Sequence, residues 1–456
     1  MSFYKNILMS LPEVANPTKK GSLKTRLMWT GGILILYLFL VSVPLFGVSA
    51  EQASYFQTLE LLLGAKIGKL LTLGISPIVT SSIVLQLLKG SGILNFNLNT
   101  EEGKFIYSGS HKLLTFAFII LEAIVYVMFG AVTPSDPSLF WLVALELALG
   151  GFIVYYMDEV VKKWGIGSGV SLFIAAGIGQ RVFLQLLSPL TQTGTAAWLF
   201  GGTDVPVGKL WAGLYYLSHA DPSTFMTSVL GPVGITFGLL LIIVFFQSIN
   251  VEIPLSFGRV RGQSTKWPLN FFYAGVIPII LISALSANMR LWATVWENFR
   301  GEDAGSSTFS YVISYLQPLQ LWSNLGNFFT VDVWPHMLIY MIYMISGATL
   351  FSYFWIQSSG MDSKSQAKQI LDSGLQIPGF RKDIRIVERV LDRYILPLTL
   401  LGGVGIGFLA ATANILAALT SGTGILLMVM IIYQFYQQLA RESMEDFSLL
   451  QKLMRK

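Results

Sequence analysis

Long apolar runs recur along this chain, separated by short polar intervals. Uncharged or nearly uncharged stretches lie at Leu27–Val48, Leu70–Leu88, Leu113–Val132, Leu139–Met157, Val170–Leu187, Val229–Ile249, Leu269–Met289, Val333–Ile356, Ile395–Ala413 and Thr420–Leu439. About 20 apolar residues in a helix cross the hydrocarbon core of a bilayer, so the pattern predicts ten membrane-spanning helices. The fifth run is the weakest, because Gln180 and Arg181 interrupt it. The last two belong to one apolar tract divided near Asn414, which predicts a hairpin of spans with almost no external loop. Tyr55–Leu70 breaks the pattern: it is amphipathic, short, and carries Glu60, Lys66 and Lys69. Such a half-helix cannot cross lipid comfortably and must lie on the surface or in a protein-lined cavity.

Composition agrees. Of 456 residues, 53% are hydrophobic and 12% are charged, and the mean hydropathy is +0.62. A soluble domain carries about 25% charged residues, so lipid is the main solvent here. There is no cysteine, which excludes disulfides, thiol catalysis and thiolate metal sites. His111, His219 and His336 are far apart, no HExxH occurs, and no pair of Asp residues falls inside the spans. An intramembrane enzyme is therefore disfavoured, and no cofactor or metal is expected. Pro12, Pro17 and five basic residues precede a first apolar run too long for a signal-peptide core, so no cleavable signal is expected.

The net charge of +5 matters less than its distribution. With the N-terminus in the cytoplasm and ten alternating spans, only Lys66, Lys69, Arg181, Lys209, Arg290 and Arg300 of the 30 Lys and Arg fall outside or at the external edge. This positive-inside asymmetry supports the span count and cytoplasmic N- and C-termini. Spans one to five and six to ten then form halves of opposite orientation, the arithmetic of an inverted repeat with a passage at its interface. The expected organisation is an N-terminal half at 1–188, an external connection at 189–228, and a C-terminal half at 229–456 with cytoplasmic loops 250–268 and 357–393. The external stretches 189–228 and 290–332 carry no functional signal.

Two cytoplasmic loops are richer than topology requires. Glu252–Lys266 places Arg259 and Arg261 between Gly258 and Gly262, which suggests a hairpin tip presenting two guanidiniums. Gln357–Arg393 carries a Gly- and Pro-shaped tip, Ile377-Pro378-Gly379-Phe380, followed by Arg381 and Lys382. Arg385, Arg389 and Arg393 recur at four-residue spacing, so they share one face of a helix entering span nine. Ordinary positive-inside topology, with anionic lipid contact, explains the charge but not the shaped tips. Two basic tips on one membrane face suit a phosphate backbone, whose recognition needs no base reading.

These loops resemble the sixth-to-seventh and eighth-to-ninth loops of the SecY family, the pore subunits of the Sec protein-conducting channel. Leu73-Gly74-Ile75-Ser76-Pro77-Ile78-Val79-Thr80 is similar to that family's second span, with Ser76 where relatives often have Gly. Gly167-Ser168-Gly169, Gly422-Thr423-Gly424 and Gln438-Leu439-Ala440-Arg441-Glu442 also match, and the resemblance covers nearly the whole chain, most closely archaeal and eukaryotic-type members. It implies an all-α polytopic membrane protein of ten transmembrane helices in two inverted pseudo-symmetric halves, with Tyr55–Leu70 as a plug. It also implies a mid-membrane ring of Ile75, Val79, Val170, Ile174, Ile280 and Leu427, although each alone reads as ordinary core or lipid-facing apolar residue. Aliphatic constrictions shed water and yield around any passing side chain.

Thr80, Glu122 and Asn288 match lateral-gate positions; for Glu122 a structural hydrogen-bonded role is equally open. Glu146 has no motif support and reads as structural or snorkelling. The implied docking residues are Arg259, Arg261, Arg381, Lys382 and Arg385. The implied partners are a SecE-type subunit, a small beta-type third subunit, a ribosome or cytosolic motor, signal sequences and nascent chains, and membrane lipid. The expected location is the plasma membrane. A secondary transporter of a small solute is the alternative, with Glu122 or Glu146 as proton sites. Against it, the spans hold no carboxylate cluster, and the most distinctive motifs are in the loops.

Overall fold

The structure, a computed structural model, describes residues 8–18, 21–48, 68–90, 93–94, 100–128, 131–191, 205–219, 222–257, 264–300, 308–319, 333–372, 375–376, 383–416 and 419–454. The first five spans are α1 (Leu23–Leu40), α2 (Ser76–Gly90), α3 (Glu101–Met128), α4 (Phe140–Trp164) and α5 (Gly169–Leu187). The sixth to eighth are α6 (Gly231–Ser248), α7 (Ile277–Arg300) and α8 (Val333–Ser359). A polar helix, α9 (Ser363–Asp372), precedes the last two, α10 (Ile384–Ile415) and α11 (Gly422–Met454). All ten predicted spans are thus occupied by helices of a multi-pass membrane protein. Among the described residues, eight of these helices are long and apolar enough to cross a membrane unaided.

The other two, α2 and α7, begin late within their apolar runs for the same reason. The apolar runs begin at Leu70 and Leu269, but the chain does not become helical until Ser76 and Ile277. Each helix is preceded by a turn at a glycine of positive φ, +52° at Gly74 and +69° at Gly275, a conformation that glycine adopts at little cost. Gly74 N–H donates to the Leu71 carbonyl and Gly275 N–H to the Phe272 carbonyl, both at 2.9 Å. Each glycine is followed three residues later by a proline, Pro77 or Pro278, in the first helical turn, where its missing N–H is harmless. The Ile75 carbonyl then accepts from Ile78 and Val79, as the Val276 carbonyl does from Ile279 and Ile280. The second span of each half therefore carries the same break. Irregular backbone at membrane depth is tolerated only inside protein or beside a water-filled cavity, and discontinuous helices of this kind lie at repeat interfaces.

Tight backbone approaches account for the other glycine motifs. A Cβ at Gly169 would lie 2.6 Å from the Asp158 Cα, and the Asp158 carboxylate caps α5 by accepting the Val170 N–H at 2.9 Å. A Cβ at Gly422 would meet the Ala413 backbone at 2.0 Å. The same hairpin is closed by Asn414, which accepts the Thr423 N–H at 2.9 Å and donates to the Tyr340 hydroxyl at 2.7 Å.

At the end where α6 leaves and α7 enters, the chain adds a small sheet that hydrophobic periodicity does not signal. Strands β1 (Asn250–Phe257) and β2 (Ser264–Asn270) form an antiparallel hairpin, with Asn250 opposite Asn270 and Ser256 opposite Ser264. Strand β3 (Leu375–Gln376) pairs with the far end of β1, so the two basic loops belong to one sheet of order β2-β1-β3. Its core, with Ile253, Leu269, Ile370, Val387 and Leu391 buried together, joins hairpin, α9 and α10. This end of the molecule, which carries the two basic loops, is its basic side.

Candidate constriction, seam and docking face

The six aliphatic ring residues converge. Ile75, Val79, Ile174, Ile280 and Leu427 are buried in one apolar cluster, and Val170 packs against it partly exposed. They arrive from α5, α11 and the two broken segments at α2 and α7, so both halves contribute. The breaks place Ile75 and Val276, and then Val79 and Ile280, at equivalent points of the two halves. The cluster also takes in Ile78, Ile178, Val276, Ile279 and Met430, none of which is among the six ring positions.

The polar gate residues also meet. Asn288 of α7 donates its side-chain amide to the Thr80 hydroxyl of α2 at 3.1 Å, which joins the C-terminal half to the N-terminal half. Asn288 is 7% exposed and Glu122 8%. Glu122 reaches from α3 to lie beside the Ser76 and Thr80 hydroxyls. Among the described residues, its Oε2 and the Ser76 Oγ have no hydrogen-bond partner. Unsatisfied buried polar atoms are costly, so this short polar strip is a weak line in an otherwise apolar contact. Ala287 continues the contact by packing into the α3–α4 cluster beside Ile119 and Ala123. Glu146 is not part of it: its carboxylate accepts the Phe46 N–H at 3.0 Å.

On the basic side, Arg385, Arg389 and Arg393 are all exposed on one face of α10, while Val387, Leu391 and Ile395 of the opposite face are buried. Asp383 caps this helix by accepting the Arg385 N–H at 2.9 Å. On the hairpin, Lys266 pairs with Glu252 at 2.5 Å, and that hydrogen bond holds the ammonium above its ordinary range. Arg259, Arg261, Arg381 and Lys382 lie outside the described residues. So does the predicted half-helix Tyr55–Leu70 as far as residue 67. Its last residues form a turn instead of a helix: Gly68 accepts from the Leu45 N–H at 3.1 Å, and the Leu70 N–H donates to Val43 at 2.9 Å.

Several contacts joining distant segments have no local sequence signal. Arg26 pairs with Glu442 at the basic end of α11, and its Nε donates to the Gly165 carbonyl at 3.0 Å. Tyr37 of α1 stacks on Phe173 of α5 with ring centroids 4.4 Å apart. His111 of α3 meets the Ser82 hydroxyl of α2 at 2.7 Å.

The SecY family model matches residues 69–436. The protein translocase subunit SecY of Methanothermobacter thermautotrophicus is 37% identical over 450 residues, covering 97% of this chain and 96% of that one. The SecY subunit of Methanocaldococcus jannaschii is also 37% identical, with 96% of each chain covered. Among solved structures, a protein conducting channel superposes with a TM-score of 0.81 at 36% identity, covering 96% of each chain. Sec61 in a canine ribosome-channel complex from the endoplasmic reticulum gives 0.78 at 36% identity, again with 96% of each chain covered.

Proposed function

The chain belongs to the SecY family, and from that premise we propose that it is the pore-forming subunit of a protein-conducting channel. It passes polypeptides across the membrane and releases hydrophobic segments sideways into lipid. It carries out no catalysis. The halves 1–188 and 229–456, linked through 189–228, part at the seam between α2 and α7. The observation that carries this reading is the matched pair of broken helices, which meet at an aliphatic cluster and are tied by the Asn288–Thr80 bond.

Ile75, Val79, Val170, Ile174, Ile280 and Leu427 form the constriction. A passage lined by aliphatic groups dewets and so blocks ions, yet makes no hydrogen bond that a passing chain must break. Thr80, Glu122 and Asn288 form the lateral gate. A hydrophobic signal helix entering the seam replaces few polar contacts with apolar ones, so hydrophobicity itself opens it. Tyr55–Leu70 serves as the plug on the external side.

The basic side faces the cytoplasm, a reading that the Lys and Arg distribution supports, with the chain in the plasma membrane. Arg259, Arg261, Arg381, Lys382 and Arg385 receive a ribosome or cytosolic motor; the ribosome complex of the similar Sec61 supports this. The pairing of β1 with β3 supports joint presentation of the two tips. A SecE-type subunit and a small beta-type subunit complete the channel. A small-solute transporter is not favoured, since Glu122 lies at the seam beside the Ser76 and Thr80 hydroxyls and not in a cluster of carboxylates, and the similar proteins are translocase and channel subunits.

The constriction is tested by replacing Ile75, Ile174 or Leu427 singly with Gly or Ser and recording conductance in planar bilayers. Resting ion leak is the expected result. A conductance equal to that of the unchanged channel contradicts the ring.

A further inference from the structure

The final carbonyls of an α-helix have no partner within the helix and carry its negative partial charge. Helix α8 ends at Ser359, followed by Gly360 at φ +71°. The Met361 N–H reaches back to the Ile356 carbonyl at 3.2 Å, closing a glycine cap. Two further carbonyls of this last turn, those of Gln357 and Ser358, are satisfied from outside. The Lys89 ammonium donates to them at 3.2 and 3.3 Å.

Lys89 belongs to the other half of the molecule. It sits in the last turn of α2, so two helix C-termini meet here with one cation between them. Asp362, just beyond α8, adds a favourable charge, and the Tyr107 ring of α3 lies 5.9 Å from the ammonium. The contact is nine residues along α2 from Thr80, about 13 Å at helical rise. The seam therefore has a second tie, on its basic side, independent of the Asn288–Thr80 bond. Parting α2 from α8 breaks both Lys89 bonds and leaves two like-signed helix ends without their shared counter-charge.

We propose that Lys89 is a latch on the lateral gate, holding the basic end of α2 against the C-terminus of α8 and setting how readily the resting seam parts. The proposal rests on the reading of this seam as the gate. Water can solvate the separated groups, so the latch is weak enough for a signal to release. Its loss is worth about a three- to tenfold rise in the ratio of parted to closed seam.

The chain has no cysteine, so a labelled pair is unambiguous within it. Phe105→Cys on α3 and Tyr353→Cys on α8, exposed by 42% and 40%, carry spin labels in the assembled channel in liposomes. Pulsed electron paramagnetic resonance then reads the distance distribution with and without a bound signal peptide. Lys89→Met, which keeps the aliphatic stem, should move the resting population towards the longer distances that the signal peptide produces. Lys89→Arg should restore the closed distribution. Asp362→Asn keeps the N-cap that accepts the Ser365 N–H and removes only charge; it should give a smaller shift in the same direction, even where Lys89→Met fails to assemble. If a signal peptide lengthens the distance but neither neutral variant changes the resting distribution, the latch is overturned and the gate stands. If a signal peptide does not lengthen it in the unchanged channel, the gate reading fails and the latch with it.

Discussion

Asn288→Leu removes an amide that ties α7 to α2 across the seam, where Nδ2 meets the Thr80 hydroxyl at 3.1 Å. An intramolecular hydrogen bond contributes about 1 kcal/mol net in water; between membrane helices, measured couplings average about 0.6 and reach about 1.7 kcal/mol. Closure of the seam should weaken by that range, a factor of about three to eighteen in the parted fraction. A signal helix gains about 0.8 kcal/mol for each methylene it buries. The hydrophobicity needed for export should therefore fall by about one to two methylenes. The assay is export of a reporter behind a graded series of signals, each one methylene more apolar than the last. Thr80→Val completes a double-mutant cycle and removes the effect of the new Leu packing. The expected coupling is about 0.6 kcal/mol or more, with the double variant no more permissive than the stronger single one. If the two substitutions shift the threshold independently, with coupling below about 0.3 kcal/mol, the bond does not hold the gate.

Charge reversal at Arg259 together with Arg381 should weaken binding of ribosomes to the channel, and each lost phosphate contact should reduce the salt slope by about 0.7–0.9; unchanged binding at physiological salt contradicts the docking role. The N-terminal segment is held at the basic side by Glu13 on Lys163, and by the Trp164 ring N–H on the Ala15 carbonyl at 2.9 Å. The Lys163 hydrogen bond keeps the Glu13 carboxyl below its ordinary 4.5. A lowered folded value means the contribution is complete above 4.5 and is lost as pH falls through the lowered value. Amide exchange around Val14, whose N–H also donates to the Glu159 carboxylate at 3.3 Å, should accelerate over that acid range more than in Glu13→Gln, which lacks the Glu13 contribution; equal protection of the two chains at every pH contradicts the tether.

The spans were legible because they are recorded locally, in runs of apolar residues. The starts of α2 and α7 were not, since Leu71–Ile75 and Phe271–Val276 are as apolar as the helices they precede. Gly74 with Pro77, and Gly275 with Pro278, are the visible trace of those breaks. They read as a repeat only once the two turns are seen to share one hydrogen-bond pattern. The hairpin carrying Arg259 and Arg261 was signalled by its flanking glycines, but its union with the second loop was not. That union is made by Leu375 and Gln376, a strand too short to show any alternation. Thr80, Glu122 and Asn288 stand out in the sequence by resemblance alone. Thr80 and Asn288 stand 208 residues apart, and no periodicity reports on such a pair. The same holds for Arg26 with Glu442 and for Lys89 with the end of α8, because a helix terminus does not reveal in sequence which distant cation completes it.

Whether a polypeptide passes through the aliphatic cluster is decided most directly by crosslinking. A photoreactive residue at Ile75 or Ile280, both buried at the centre, and one at Leu241, 69% exposed on α6, are compared in channels engaged with an arrested secretory chain. Adducts to the arrested chain from Ile75 and Ile280, and none from Leu241, are the expected result. Absence of adducts from both central positions, with translocation otherwise arrested in the same channels, contradicts the assignment of this cluster as the protein-conducting path.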